Sequence, residues 1–201
     1  MLLAMKKTKY KVNEIFYSVQ AEGTNAGRAA IFVRFSGCNL ACRFCDTNHA
    51  KYREMTKEQI EGVGNRLDRT GEAMVVFTGG EPTLQLTDEE PMFKGRFRAI
   101  ETNGILEPPR WVEWVTVSPK TKIPPREIVI RADEIKFVLG SVSNDYLKQV
   151  EEMACRVEVP LFIQPMADKE GRFCAREAIR FVKRNPMWCL SLQFHKLLNI
   201  R

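Results

Sequence analysis

Three cysteines fall within eight consecutive positions, Cys38-Asn39-Leu40-Ala41-Cys42-Arg43-Phe44-Cys45. This CxxxCxxC spacing gathers three thiolates on one loop, and thiolates are soft ligands that suit an iron–sulfur cluster or zinc. On a four-iron cube three thiolates leave one iron without a protein ligand, so a small molecule can bind that corner directly. The competing reading is a Cys3His zinc site, because His49 follows Cys45 at a spacing that zinc ligands use. Zinc knuckles are commonly built from paired Cys-x-x-Cys arms, whereas here a single compact loop follows a strand, which favours the cluster. Other polar groups recur in short bursts: Thr78-Gly79-Gly80-Glu81-Pro82, Glu101-Thr102-Asn103-Gly104, Ser118-Pro119-Lys120, Gln164-Pro165-Met166 and Gln193-Phe194-His195.

Each burst follows a short apolar run rich in Val, Ile or Phe, the pattern of strands entering loops. The runs are Ile31–Phe35, Met74–Phe77, Phe97–Ile100, Trp114–Val117, Ile135–Leu139, Leu161–Ile163 and Leu190–Leu192. Helices separate some of them. Thr56-Lys57-Glu58-Gln59 has the spacing of a capping box, after which Ile60, Val63 and Leu67 mark one face. Leu147, Val150 and Ala154 mark a second helix after Ser143, and Ala175, Ile179 and Val182 a third. Pro91 and the Pro108-Pro109 pair leave other crossovers as loops. Alternating strands and helices predict a parallel sheet whose site lies at the carboxyl ends of its strands. The expected fold is an α/β, incomplete TIM-like barrel of about six to seven mostly parallel strands with few helices. A doubly wound open sheet is the alternative, and residues 1–201 read as one domain.

Composition narrows the function class. Hydrophobic residues at 44% with 28% charged are ordinary for a globular chain. The net charge of +6 comes from scattered Lys and Arg without a dense basic block, so neither nucleic acid nor a membrane is an expected partner. The opening residues lack the basic start and cleavage site of a signal peptide, and the expected location is cytoplasmic. Cys155, Cys174 and Cys189 stand alone and are expected to pack as small buried hydrophobes.

The cysteine loop, with Phe44 as its aromatic member, resembles the radical S-adenosylmethionine (SAM) superfamily, whose loop reads CxxxCx(aromatic)C. Gly79-Gly80-Glu81-Pro82 resembles that superfamily's second motif, whose backbone and acidic residue hold the SAM amino group. A closer resemblance, to the 7-carboxy-7-deazaguanine synthases of queuosine and deazapurine biosynthesis, extends along the chain. It is carried by residues 14–23, 34–40, 45–47, 78–82, 101–104, 118–120, 164–166 and 193–201. The resemblance implies a [4Fe–4S] cluster on Cys38, Cys42 and Cys45. It implies SAM contacts from Phe44, Asp46, Gly80, Ser118, Lys120, Gln164 and Met166. It implies a pterin substrate, 6-carboxy-5,6,7,8-tetrahydropterin, met by Val19, Gln20, Ala21, Glu22, Thr78, His195 and Arg201. Arg34 would pair with the substrate carboxylate, a task suited to a planar bidentate donor. Thr47 would be the protein ligand of a Mg2+ ion shared with the substrate. A flavodoxin-like reductant and a homodimer follow from the same resemblance.

This chain departs from the family pattern in places. The usual Gln-Gly-Glu-Gly reads Gln20-Ala21-Glu22-Gly23, Asp168 follows Met166 one residue late, and Phe194 replaces the usual Thr. Two other functions fit parts of the sequence: a glycyl-radical-activating enzyme shares the cysteine loop, and a zinc-stabilised RNA-binding module fits the basic charge.

Overall fold

The computed structural model describes residues 8–42, 45, 47–120, 124–139, 143–155, 158–166 and 175–201. Its strands form one nine-stranded sheet. β1 (Tyr10–Val19) and β2 (Ala29–Phe35) make an antiparallel hairpin, and β3 (Arg53–Met55) pairs with the other side of β1. From β2 the sheet continues in parallel through β4 (Met74–Gly79), β5 (Arg98–Thr102) and β6 (Trp114–Val117). It then runs on through β7 (Glu134–Val138), β8 (Leu161–Gln164) and β9 (Trp188–Leu190). Seven strands therefore run parallel in chain order, and the sheet ends at β3 and β9 instead of closing on itself. This is the expected incomplete α/β barrel.

The helices are α1 (Lys57–Leu67), α2 (Arg126–Ile130), α3 (Asn144–Cys155), α4 (Ala175–Arg184) and α5 (Phe194–Leu197), with one 3-10 turn at Pro82–Leu84. No α-helix joins β4 to β5 or β5 to β6, as the prolines required. The capping box at Thr56 forms: Gln59 N donates to Thr56 Oγ1 and Thr56 N donates to Gln59 Oε1. Among the described residues no helix is long and apolar enough to cross a membrane.

Strand alternation divides the sheet into two chemically different faces. Ile31, Val33, Phe35, Val75, Phe77, Ile100, Val115, Val117, Ile135, Phe137 and Ile163 share one face with Ile60 of α1 and Leu147 of α3, forming the main core. Phe137 and Phe181 both press on the ring of the buried Trp188. Burying a side chain of this size is worth about 1.5–3 kcal/mol. The other face starts apolar, with Ala30, Met74, Val76 and Ala99 backed by Phe32, Phe97 and Trp114. It turns polar toward the strand ends.

Several expectations are corrected. β1 and β3 are strands that no apolar run announced, and β9 lies two residues earlier than its run. α1 buries Ile60 and Gly64 while Leu67 is exposed, because Gly64 presses on the Phe93 ring where a larger side chain would collide. α4 turns Ala178 inward with Phe181 and Val182, leaving Ile179 exposed. Cys155 and Cys189 are exposed instead of buried: one ends α3 and the other faces out from the edge strand β9. Cys174 lies outside the described residues.

Candidate active site

The register of the parallel strands decides which side chains meet. Ala30, Phe32 and Arg34 of β2 pair with Met74, Val76 and Thr78 of β4, and Glu101 of β5 pairs with Thr116 of β6. Thr116 pairs with Glu134, and on the same face of β7 two residues on lies Lys136. The inner face thus climbs from methyl and ring groups to Arg34, Thr78, Glu101, Ser118, Lys136 and Gln164 at the carboxyl ends. β1 joins this face through a β-bulge between Val12 and Glu14, where the register shifts. The shift carries Glu14 opposite Arg34 and Phe16 opposite Phe32, and these two rings stack at 4.9 Å.

The β1–β2 connector, residues 20–28, crosses the inner face and ties distant strands together. Gln20 Nε2 donates to Glu101 Oε1 at 3.1 Å, Thr24 N to Glu134 Oε2 at 2.8 Å, and Gly23 N to Ser191 Oγ at 3.1 Å. Phe194 N donates back to Ala21 O. The sheet is therefore curled around this connector, and a cleft of about 280 Å3 is left between it and the loops at the strand ends.

Two of those loops touch backbone to backbone. A Cβ on Gly80 would lie 1.9 Å from Gly37 O, and Gly79 holds φ +109°, a conformation that L side chains rarely adopt. The tandem glycine is thus required by the approach of the β4 loop to the residue before Cys38. Glu81 then turns inward and is fully buried. Its carboxylate accepts from Thr83 N, Thr83 Oγ1, Thr102 Oγ1 and Asn103 N at 2.7–3.1 Å. Three of these bonds converge on Oε1 and one reaches Oε2. Glu81 therefore braces the β4 and β5 loops, and the Asn103 amide reaches on to Asn39 Oδ1 of the cysteine loop at 2.7 Å.

The Cys38, Cys42 and Cys45 thiols all border the cleft. Burial pushes the Cys38 and Cys42 thiols up, opposed at Cys38 by the Leu40 N–H and at Cys42 by the Lys120 charge. Facing them is a buried charge network. Lys136 Nζ lies 2.5 Å from Glu22 Oε2 and 3.7 Å from Glu101 Oε1, and Gln193 Nε2 donates to Glu22 Oε1 at 2.9 Å. Burial alone would raise the Glu22 carboxyl, but Lys136, Gln193 and His195 hold it down to about 2. Burial would likewise lower the Lys136 ammonium, and the Glu101 and Glu22 charges more than reverse this. Lys120, whose Nζ donates to Ser118 Oγ at 2.7 Å, is pushed down by burial and then by the Lys136 charge.

At the mouth, Glu14 joins two guanidinium groups. Arg34 Nε forms an ion pair with Glu14 Oε1 at 3.0 Å, and Arg201 Nη2 lies 2.9 Å from Glu14 Oε2. Arg34 Nη1 also reaches Thr47 Oγ1 at 3.5 Å.

Every described residue that the family resemblance assigned to cluster, SAM, substrate or Mg2+ borders this one cleft: Val19, Gln20, Ala21, Glu22, Arg34, Cys38, Cys42, Cys45, Thr47, Thr78, Gly80, Ser118, Lys120, Gln164, Met166, His195 and Arg201; His49, the fourth ligand of the zinc alternative, is not among its lining residues. Phe44, Asp46 and Asp168 lie outside the described residues. Sequence reasoning missed Phe16, Phe32 and Lys136, and named Glu101 and Gln193 only as members of polar bursts, without a task. For Lys136 a signal existed, since a lone charge in the middle of the strand Glu134-Ile135-Lys136-Phe137-Val138 has to find a partner on a buried face.

Comparison with known proteins agrees with this geometry. The family model of the radical SAM superfamily matches residues 32–136. A 7-carboxy-7-deazaguanine synthase of Bacteroides thetaiotaomicron is 38% identical over 198 residues, covering 95% of this chain and 98% of that protein. Its namesake in Burkholderia multivorans is 38% identical over 220 residues, covering 95% and 99%. Among solved structures, QueE from Escherichia coli superposes with a TM-score of 0.71 at 27% identity, covering 92% of this chain and 94% of that one. A cysteine loop packed on a tandem glycine, at the carboxyl rim of a parallel sheet matched from end to end by these synthases, makes the chain a member of the radical SAM superfamily and, within it, of the 7-carboxy-7-deazaguanine synthase family.

Proposed function

We propose that this chain converts 6-carboxy-5,6,7,8-tetrahydropterin to 7-carboxy-7-deazaguanine with loss of ammonia, with the pterin bound between the Gln20–Glu22 connector and Arg34. The observation that carries the reading is the convergence of a guanidinium, a buried anionic network and three thiols on a single cleft. Membership of the superfamily implies a [4Fe–4S] cluster and SAM. The donor set fits: three thiols from one loop border the cleft, and the Leu40 N–H already points at Cys38 Sγ at 3.4 Å, as amides do toward cluster sulfurs. When bound, cluster and SAM together supply one-electron cleavage of a C–S bond and a hydrogen-abstracting carbon radical.

The chain's own residues act by binding, orientation and exclusion of water. Arg34 offers Nη groups to the substrate carboxylate, with the Glu14 carboxylate as ion-pair partner 3.0 Å from its Nε. Glu22, held anionic by Lys136, and Glu101 beside it offer acceptors to the N–H edge of the pterin, and Gln20 is oriented toward them by Glu101. Ala21 is buried, so its methyl group fills space that glycine leaves free to the substrate. Thr78 and His195 line the same pocket. Across the cleft, Ser118, Lys120, Gln164 and Met166 serve SAM, with Phe44 and Asp46 assigned to it by family resemblance. The loop braced by Glu81 presents backbone to the SAM amino group, and Glu81 Oε2, which among the described residues accepts only from Asn103 N, keeps an acceptor site beside it.

Thr47 offers one hard oxygen at the cleft, so a Mg2+ ion there takes its other ligands from substrate oxygens and water. The excess basic charge suits an acidic, flavodoxin-like donor. Exposed Tyr17, Leu197 and Leu198, on β1 and around the end of α5, are apolar surface that a homodimer would cover. Free thiols at Cys155 and Cys189 suit the reducing cytoplasm.

The test is anaerobic reconstitution followed by SAM, dithionite and the carboxypterin, with the deazapurine sought by mass spectrometry. Arg34→Ala is expected to keep the cluster and uncoupled SAM cleavage while losing ring contraction. Unchanged product formation by Arg34→Ala overturns the carboxylate assignment.

A further inference from the structure

Cys45 has a partner to which the cluster reading gives no task. His49 Nε2 lies 3.6 Å from Cys45 Sγ, and on the other side of the ring Gly37 N donates to His49 Nδ1 at 3.3 Å. A neutral imidazole carries one proton, and the nitrogen that accepts from an amide is the bare one. The proton is therefore on Nε2, and Nε2 is a donor toward sulfur. Turning the ring over would aim the Gly37 N–H at a carbon and lose the bond. This geometry disfavours His49 as a zinc ligand through Nε2, since that nitrogen has no lone pair to give.

The ring is placed by the protein itself. The bulge in β1 leaves Asn13 without a partner in the β2 register. Its Nδ2 instead lies 2.8 Å from Asn48 O, 2.6 Å from Lys51 O and 3.0 Å from Ser36 Oγ. Ser36 Oγ adds a bond to Lys51 O at 3.0 Å. The turn that carries His49 is thus pinned at both ends to β1 and to the end of β2.

We propose that His49 donates an Nε2–H···S hydrogen bond to the cluster-ligating sulfur of Cys45 and so raises the reduction potential of the cluster, as a tuning residue and not a metal ligand. A donor to a thiolate withdraws electron density from the Fe–S unit and favours the more negative, reduced state. The inference rests on the cluster reading of the Cys38, Cys42 and Cys45 site.

The test compares the reconstituted protein with His49→Phe, a ring that donates nothing, by redox titration followed through the EPR signal of the reduced cluster. The potential is expected to become more negative by about 59 mV, the shift for a tenfold loss in a one-electron equilibrium constant, at unchanged iron and sulfide content. His49→Gln, which keeps an N–H donor, is expected to recover part of that shift. An unmoved potential in His49→Phe overturns the inference while leaving the cluster in place. Should His49→Phe fail to assemble a cluster, resonance Raman of the unmodified protein decides: exchange into D2O is expected to shift an Fe–Sγ stretch, and no shift overturns the proposal. Stoichiometric zinc in place of iron would sink the cluster reading as well.

Discussion

The two walls of the cleft are organised by different forces. On the wall made by the β1–β2 connector with β5 and β7, Glu22, Glu101, Gln20 and Lys136 are joined by bonds and ion pairs of 2.5–3.7 Å. On the wall that carries Cys38, Cys42 and Cys45, Cys38 and Cys42 are half-buried and Cys45 is exposed, and the contacts of their sulfurs with the described residues are weak. The first wall has its shape from the fold. On the second, three thiols wait on a cluster, whose coordination would add the bonds that the first wall already makes within the chain. Cys42→Ala separates the two and carries the largest expected effect. Brown colour, EPR signal and turnover should vanish together, while far-UV circular dichroism and thermal melting of the cluster-free protein stay close to those of the parent without iron. A collapse of the whole fold in Cys42→Ala would mean that the substrate wall also depends on the cysteines.

Lys136→Met is the converse break. It removes the cation that faces Glu22 and Glu101 and leaves two carboxylates without their buried partner. Breaking a buried pair from one side costs about 3–5 kcal/mol, measurable by denaturant unfolding. Reacting groups displaced by about 1 Å lose on the order of 10²-fold in rate, so kcat/KM should fall by at least that much. Iron and sulfide content should not change. A variant that loses its cluster but keeps its stability would show that the comparison has the two walls reversed.

How much of this was legible in the sequence follows from which signals are local. The parallel strands, β9 with an offset of two residues, could be read as apolar runs, most of them ending at the cysteine loop or a polar burst, and those loops are the rim of the cleft. β1 could not, since its bulge at Asn13 breaks the period-two alternation on which such reading depends. β3, with three residues, carries no pattern at all. The site residues on loops stood out by motif. Lys136 sits inside a strand, where a single charge looks like an interruption until the fold shows Glu22 of the β1–β2 connector reaching across the inner face to meet it. The exposure of Cys189 had the same origin, since only topology reveals that its strand is an edge.

Glu22→Gln makes the smallest and most specific change to the ordered wall, removing a charge while keeping the shape. Glu22 titrates at about 2 in the folded chain and near 4.3 in the unfolded one. A carboxyl whose folded value is depressed contributes stability that is present above the unfolded value and is lost as pH falls through the folded one. The parent should therefore be more stable than Glu22→Gln at pH 7 by an amount on the order of a few kcal/mol. That margin should shrink from about pH 5 downward and be gone only below about pH 2. Urea unfolding across this range measures it, best with both proteins carrying Cys42→Ala so that acid loss of the cluster does not intervene. A margin that stays constant down to pH 3 would mean that packing, and not the Lys136 charge, holds Glu22 in place; the ordered wall would then differ from the cysteine wall in burial alone.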